Sequence, residues 1–223
     1  MRRIAATLAT ISALAVASPA LASEDTQYWQ TLSLNLALPS NFKIQNEAVF
    51  RTSDAKGFYE LENAVMVGYK LNKSVTVLTG YIHNPTYLHG DFRVMERRWR
   101  QQINVDNFAV VGKVKFSGRA RLETRWRDGV AGTGWRLRPY VKATAPFVGK
   151  STVSVTHESF INLNTTSFQK TDGYDRMRNA ISVSVPLNKK FSMDFGYLNQ
   201  HGFVRNAEDS SDNVLTLGLS ANF

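Results

Sequence analysis

The densest chemistry in the chain is a set of charges that recur at every second position. Glu96, Arg98 and Arg100 form one run, Arg119, Arg121, Glu123 and Arg125 a second, and Arg136 with Arg138 a third. Glu47, Arg51, Glu60, Glu62, Glu158, Arg176 and Arg178 extend the set to both sides in sequence. A spacing of two places side chains on one face of an extended strand. Such a face can line a passage, where a positive excess concentrates anions and repels cations. It can equally pair Arg with Glu across a narrow interior and close it. The arginines outnumber the carboxylates, which is the argument for the passage; both readings stay open at this point.

Other reactive side chains are sparse. His157 and Ser159 share a face of one extended segment, a spacing similar to that in the lipid A deacylase barrels. A serine nucleophile needs a base within hydrogen-bond reach and an orienting carboxylate behind it. Glu158 points to the opposite face, so both residues are assigned to structure and no enzymatic activity is expected. His83, His89 and His201, with Asp91 and Asp172, lie in or beside loops, where histidines are ordinarily solvated, and a metal would need several of them to converge. Gly112, Gly118, Gly129, Gly132 and Gly134 precede no helix and so make no phosphate cradle. No cofactor and no metal are expected.

The elements that must position these groups all alternate. Leu32, Leu34, Leu36 and Leu38 are interleaved with Ser33, Asn35 and Ala37, and Phe42, Ile44, Ala48 and Phe50 with Lys43, Gln45, Glu47 and Arg51. Tyr59, Leu61, Val65, Val67 and Tyr69 alternate with Glu60, Glu62 and Lys70. Later segments repeat the pattern over 74–84, 92–106, 113–127, 134–147, 151–161, 174–187, 190–202 and 212–223. These later segments run 11 to 15 residues, at least the roughly nine to eleven that a tilted strand needs to cross a bilayer and longer than the usual strand of a soluble protein. A charge facing lipid at the mid-plane costs about 2 to 4 kcal/mol for Arg or Lys, so in a membrane barrel the charged faces must turn to the lumen. Tyr28, Trp29, Tyr69, Trp99, Trp126, Trp135, Phe191 and Phe223 near strand ends suit interfacial girdles. Short turns at 39–41, 71–73, 146–150, 186–189 and near Asn107 alternate with longer polar connections at 52–57, 84–91, 128–133, 162–173 and 203–212. The short ones would face the periplasm. Eleven segments conflict with the even count of bacterial barrels, so either the first segment is not a barrel strand or residues from Ser23 to Trp29 form or complete an extra one; ten to twelve strands are expected, with twelve favoured.

The chain opens with Arg2 and Arg3, an apolar run from Ile4 to Val16, and Ala20-Leu21-Ala22 after Pro19. That order is a secretory signal peptide over residues 1–22, removed to leave a barrel domain over 23–223. The net charge of +9 admits nucleic acid, anionic headgroups or anionic solutes as partners, and export argues against the first. There is no cysteine, hence neither a disulfide nor a lipid-attachment site. Leu215, Leu217 and Leu219 alternate up to the terminal Phe223, an arrangement that looks like the assembly signal read by the barrel-insertion machinery.

Several fragments together resemble a family. Trp29, Glu47 to Arg51, Gly80-Tyr81, Glu96-Arg97-Arg98 with Gln101-Gln102, Arg119-x-Arg121-Leu122-Glu123-x-Arg125, Arg136-x-Arg138, Glu158-x-Phe160 and Arg178 are similar to the domain-of-unknown-function 2490 family. The resemblance runs through nearly all of the chain beyond the leader and implies a barrel of outer-membrane type without an assigned activity. The expectation is therefore an all-β chain: a single antiparallel up-and-down transmembrane barrel in the outer membrane, either a narrow anion-preferring pore or a structural barrel with a charged core. Its partners would be outer-membrane lipid, the assembly machinery and small anionic solutes, with no nucleic acid. A lipid-modifying acyl hydrolase and a soluble periplasmic barrel that binds small molecules are the alternatives.

Overall fold

The computed structural model describes residues 23–205 and 207–223. The expected signal peptide lies outside the described residues. The chain folds into eleven strands: β1 (Ser23–Ala37), β2 (Phe42–Ser53), β3 (Gly57–Lys70), β4 (Val75–Leu88), β5 (Asp91–Val111), β6 (Val114–Arg127), β7 (Gly134–Pro146), β8 (Thr152–Asn162), β9 (Gly173–Pro186), β10 (Phe191–Gly202) and β11 (Ser210–Asn222). Each strand pairs with its neighbours in sequence, and β1 pairs with β11 to close one barrel. Ten of the pairings are antiparallel hairpins; the eleventh, between β1 and β11, is parallel, with Trp29 beside Thr216 and Asn35 beside Asn222. Eleven falls within the expected ten to twelve strands, one short of the favoured twelve, and the expected wholly antiparallel sheet is corrected at the β1–β11 seam. Successive hairpins reverse direction each time, so an odd number of strands leaves the first and last running the same way. Residues from Ser23 to Trp29 begin β1 and add no further strand.

The turns explain where the sequence-based boundaries move. His89 and Gly90 both take positive φ, 52° and 91°, which is the mirror-image turn that joins strands in two residues. Residues 84–88 therefore belong to β4 instead of a long loop, and Tyr87 packs between Phe58 and Phe92 beside that turn. Between β2 and β3 the connection is also tight, with Gly57 at φ 59° taking the chain back into the sheet. Asn107, expected at a turn, sits at φ 50° inside β5, where the register with β6 shifts between Val105 and Ala109. The turn itself comes later, at Gly112 with φ 59°. The long connections are those after β6, β8 and β10, all at one end of the barrel, which will be called the upper end.

Alternation sets the two faces. Leu32, Leu34, Val65, Val67, Val141, Val155, Ile181, Leu215, Leu217 and Leu219 point outward and are exposed. The charged faces turn inward, where Arg51, Glu62, Glu96, Arg98, Arg100, Arg121, Glu123, Arg125, Arg136, Arg138 and Glu158 are buried and Glu47, Glu60, Arg119, Arg176 and Arg178 partly so. Two of the residues taken for the outer surface do otherwise. Trp29 has the parity of Thr31 and Ser33 and is buried inside the barrel, 6% exposed, against Val49, Val214 and Leu198. Tyr59 is turned in by a bulge in the β2–β3 pairing next to Arg51, and its hydroxyl donates to Gln27 Oε1 at 2.6 Å. Tyr28, Tyr69, Trp99, Trp126, Trp135, Phe191 and Phe223 are on the outside.

Candidate functional site

The interior is organised around carboxylates held by several guanidiniums at once. Glu123 on β6, fully buried, accepts from Arg100 on β5 at 2.8 Å and from Arg136 and Arg138 on β7 at 2.7 and 2.9 Å. Glu62 on β3 takes Arg100 at 2.7 Å, Arg98 at 3.1 Å and Arg51 at 3.4 Å. Arg100 thereby bridges the two carboxylates and is 1% exposed. Higher up, Glu96 holds Arg98, Arg125 and Arg127 at 2.7, 3.0 and 3.0 Å. Glu60 pairs with Arg51 at 2.7 Å, and Glu158 with Arg119 and Arg138 at 2.6 and 3.0 Å. The result is a waist that separates two cavities. The lower one, about 330 Å³, is lined by Glu47, Arg100, Arg119, Arg121, Lys115 and Lys142 among others. The upper one, about 160 Å³, is walled by Arg51, Glu60, Glu62, Glu96, Arg98, Arg136, Arg138, Arg176 and Arg178, with Phe160 and Asn84.

Not every charge is paired with its opposite. Among the described residues Glu47 has no ion-pair partner. Arg121 and Arg178 have no carboxylate partner there either: Arg121 donates to Gln102 Oε1 and Arg178 to Gln200 Oε1, both at 2.8 Å. Aromatic faces take up part of the surplus. Arg178 lies 4.6 Å from the centre of the Trp29 ring, with Arg51 at 4.3 Å from the same ring. Phe160 is in contact with Arg138 at 4.3 Å and again with Arg178 at 4.7 Å. A guanidinium over an aromatic face is stabilised by the ring quadrupole, more so where water is excluded. Arg176 pairs with Asp175 at 2.9 Å nearer the upper rim. The β8–β9 connection folds over the same rim: Gln169, 3% exposed, accepts from Arg125 at 2.9 Å, and Phe168 lies 5.1 Å from Arg127.

Against known proteins, the family model described as a protein of unknown function (DUF2490) matches residues 26–211. The chain belongs to the DUF2490 family. It is 31% identical to an uncharacterized protein of Methylorubrum extorquens over 170 residues, covering 73% of this chain and 74% of that one. No solved structure matches.

In this DUF2490 barrel the fragments that resemble the family converge although they come from different strands. Trp29, Arg51, Glu96, Arg98, Arg121, Glu123, Arg125, Arg136, Arg138, Glu158, Phe160 and Arg178 all meet in the interior just described. Gly80 of β4 has its own reason. A Cβ there would stand 2.1 Å from Val65 O and 2.6 Å from Met66 Cα, so the β3 backbone approaches where no other residue fits. Arg97, Tyr81 and Gln101 instead point outward, Arg97 pairing with Asp128. Of the terminal motif, Leu215, Leu217 and Leu219 face outward, and Phe223 packs edge-on to Phe191 at 6.0 Å. Phe223 also closes the seam, donating its N–H to Asn35 O at 2.9 Å and accepting from Ala37 N–H at 2.7 Å.

On the outer wall the structure brings together a group that sequence reasoning divided. His157 and Ser159 of β8 lie on one face as expected from their spacing, with His157 Nε2 3.0 Å from Ser159 Oγ. The orienting group comes from β9: Asn179, cross-strand from His157, places Oδ1 2.7 Å from His157 Nδ1. Tyr174, also of β9, places its hydroxyl 2.7 Å from Ser159 Oγ. Asn179 escaped notice because a carboxylate was sought and because only the strand register, not the sequence, puts residues twenty-two apart side by side. Among the described residues no group of three His, Asp or Glu side chains is placed to hold a metal. His201 instead faces Asp209 at 3.1 Å, and His89 belongs to its turn.

Proposed function

We propose that this DUF2490 protein is an exported outer-membrane barrel whose lumen is shut at the waist, so that it works as a closed scaffold in the lipid and not as a standing pore. The observation that carries this reading is the inversion of polarity: Arg100, Glu123 and Glu96 are at most 2% exposed inside, whereas Val67, Val155, Ile181 and Leu215 are at least half exposed outside. A water-soluble barrel has the opposite arrangement, because exposed apolar area is costly in water and buried charges are costly anywhere unless paired. An outward apolar surface ringed by Trp99, Trp126, Trp135, Tyr69 and Phe223 suits a bilayer with its two interfaces. Lipid and the barrel-assembly machinery are the partners this reading requires. A second reading, a narrow anion-preferring conduit, is favoured by Arg121 and Arg178, whose charge no carboxylate neutralises among the described residues.

Purified barrel in planar bilayers separates the two. The closed waist is expected to give no steady conductance, and Glu123→Ala, which empties its centre, to introduce anion-selective current. A wild-type current that prefers anions and falls in Arg121→Glu/Arg138→Glu would establish the conduit instead.

A further inference from the structure

We propose that the outer wall of the barrel carries a serine esterase site for membrane-lipid acyl chains, built from Ser159, His157 and Asn179 with Tyr174 beside them. The hydrogen bonds fix the direction of the relay. Asn179 Oδ1 can only accept, so His157 carries its proton on Nδ1 and presents a bare Nε2 to Ser159. Ser159 then donates to that nitrogen, and its oxygen receives the Tyr174 hydroxyl. This is the order a serine nucleophile requires: a base within 3.0 Å and a third group that holds the imidazole in the right tautomer. An amide serves that third role elsewhere in Cys-His-Asn sites.

The surroundings name the substrate. Ser159 and His157 are on the outward side of β8, away from the ion-paired interior that Glu158 faces between them. Below His157 lies an apolar groove of about 520 Å³, lined by Phe116, Val141, Ala143, Val155, Ile181 and Tyr197, with His157 and Asn179 at its edge. An acyl chain is the occupant that fits a groove on a lipid-facing wall. Above Ser159, Trp135 and Tyr174 are outward aromatics near the upper strand ends, 40% and 44% exposed, at the depth where headgroups begin. An ester lies between headgroup and chain, which is where Ser159 sits. Ser159 itself is 8% exposed because Tyr174 covers it. Tyr174 is held by its 2.7 Å hydrogen bond to Ser159 and by the edge of Phe203, 5.2 Å away, so exchanging that one hydrogen bond for one to an incoming carbonyl suffices to admit substrate. The inference rests on the membrane-spanning reading above but not on whether the lumen conducts.

In the reaction Ser159 Oγ bonds to the ester carbonyl carbon as its proton passes to His157 Nε2. The tetrahedral intermediate expels the lipid alcohol, which takes that proton, and leaves an acyl-serine. Water, deprotonated by His157, then attacks the acyl carbon and releases the fatty acid, restoring Ser159. The Tyr174 hydroxyl is within reach of the oxyanion that forms next to Oγ.

The full barrel in detergent is incubated separately with phosphatidylethanolamine and with lipid A, and released fatty acid is measured by mass spectrometry. In parallel it is treated with a long-chain sulfonyl fluoride and its intact mass recorded. Release from one lipid, with a mass increase that maps to Ser159, supports the site and identifies the acyl donor. Ser159→Ala should abolish both signals and His157→Ala should reduce release on the order of 10³-fold, while both variants, like the wild type, should migrate differently on gels before and after boiling, because a closed barrel leaves no unpaired edge and resists detergent. Asn179→Ala should give a smaller loss, carried by kcat with KM unchanged, as expected of a residue that holds the imidazole in place without touching substrate. Release unchanged in Ser159→Ala, or neither release nor labelling in the folded wild type, overturns the proposal. A barrel that extracts as a soluble protein overturns the membrane reading on which it rests, a separate result.

Discussion

Glu123 meets three guanidiniums with no exposure to solvent, and taking away one charge from such a group leaves the others facing each other without compensation. Removing a partner from a buried ion pair costs about 3 to 5 kcal/mol. Glu123→Gln keeps the shape and should lower stability by that amount, measured by urea unfolding of the detergent-solubilised barrel. Arg121→Gln should behave differently. Its guanidinium has Gln102 as partner and Arg100, Arg119 and Arg138 as nearby like charges, so losing it should leave stability equal or higher. Equal damage from the two substitutions would mean that the interior is not held by charge pairing. At this scale the sequence was informative about which residues are inside and silent about which of them pair. Period two in Arg119, Arg121, Glu123 and Arg125 shows a shared face; that Glu123 reaches β5 and β7 while Arg121 reaches only an amide follows from strand register and tilt, which the spacing does not encode. The same holds for Asn179, invisible as a partner of His157 until β8 and β9 are aligned.

Strands need places where curvature is concentrated, and Gly80 on β4 is one of them. The backbone of β3 lies where its side chain would be, so Gly80→Ala forces Val65 and Met66 apart. Overpacking of this kind costs about 1 to 3 kcal/mol when side chains can yield, and here the obstructing atoms are backbone. The expected outcome is loss of folded barrel, seen as loss of the heat-dependent gel shift, whereas Gly90→Ala, with open space around it, should cost only the strain of its positive φ. Retention of a normal barrel in Gly80→Ala would remove the case for a required close approach. The strand segments themselves were legible because alternation is strong and their limits were not, for particular reasons. Residues 84–91 contain Asn, Pro, His and Gly, the composition of a loop, yet a two-residue turn at His89 and Gly90 needs only those two. Asn107 looks like a turn residue and is a bulge, because both make use of the same left-handed conformation. Trp29 was readable by parity with Thr31 and Ser33; its aromatic character argued for a girdle and was the weaker signal.

Eleven hairpin-linked strands have a consequence for the whole molecule that an even number would not. β1 starts at the upper end, where Ser23 pairs with Ser210, and β11 finishes at the lower end, where Asn222 pairs with Asn35. The two ends of the barrel chain are therefore at opposite ends of the barrel. Parallel pairing at the seam is slightly weaker per residue than antiparallel pairing. Here it runs through thirteen matched positions and is finished by Phe223, whose backbone bonds to both Asn35 and Ala37. If the barrel spans the outer membrane with its short turns inward, the start of β1 is at the cell surface together with the β6–β7, β8–β9 and β10–β11 connections. An epitope placed just before Ser23, after the signal cut, and one inserted at Gly129 should both be stained on intact cells. One inserted between Asn188 and Lys189 should be stained only after the envelope is opened. Staining of the Ser23 epitope only in opened cells, with Gly129 still accessible from outside, would put both ends of the chain on the inner side. That outcome requires an even number of strands, and so would refute the parallel closure and the odd barrel with it.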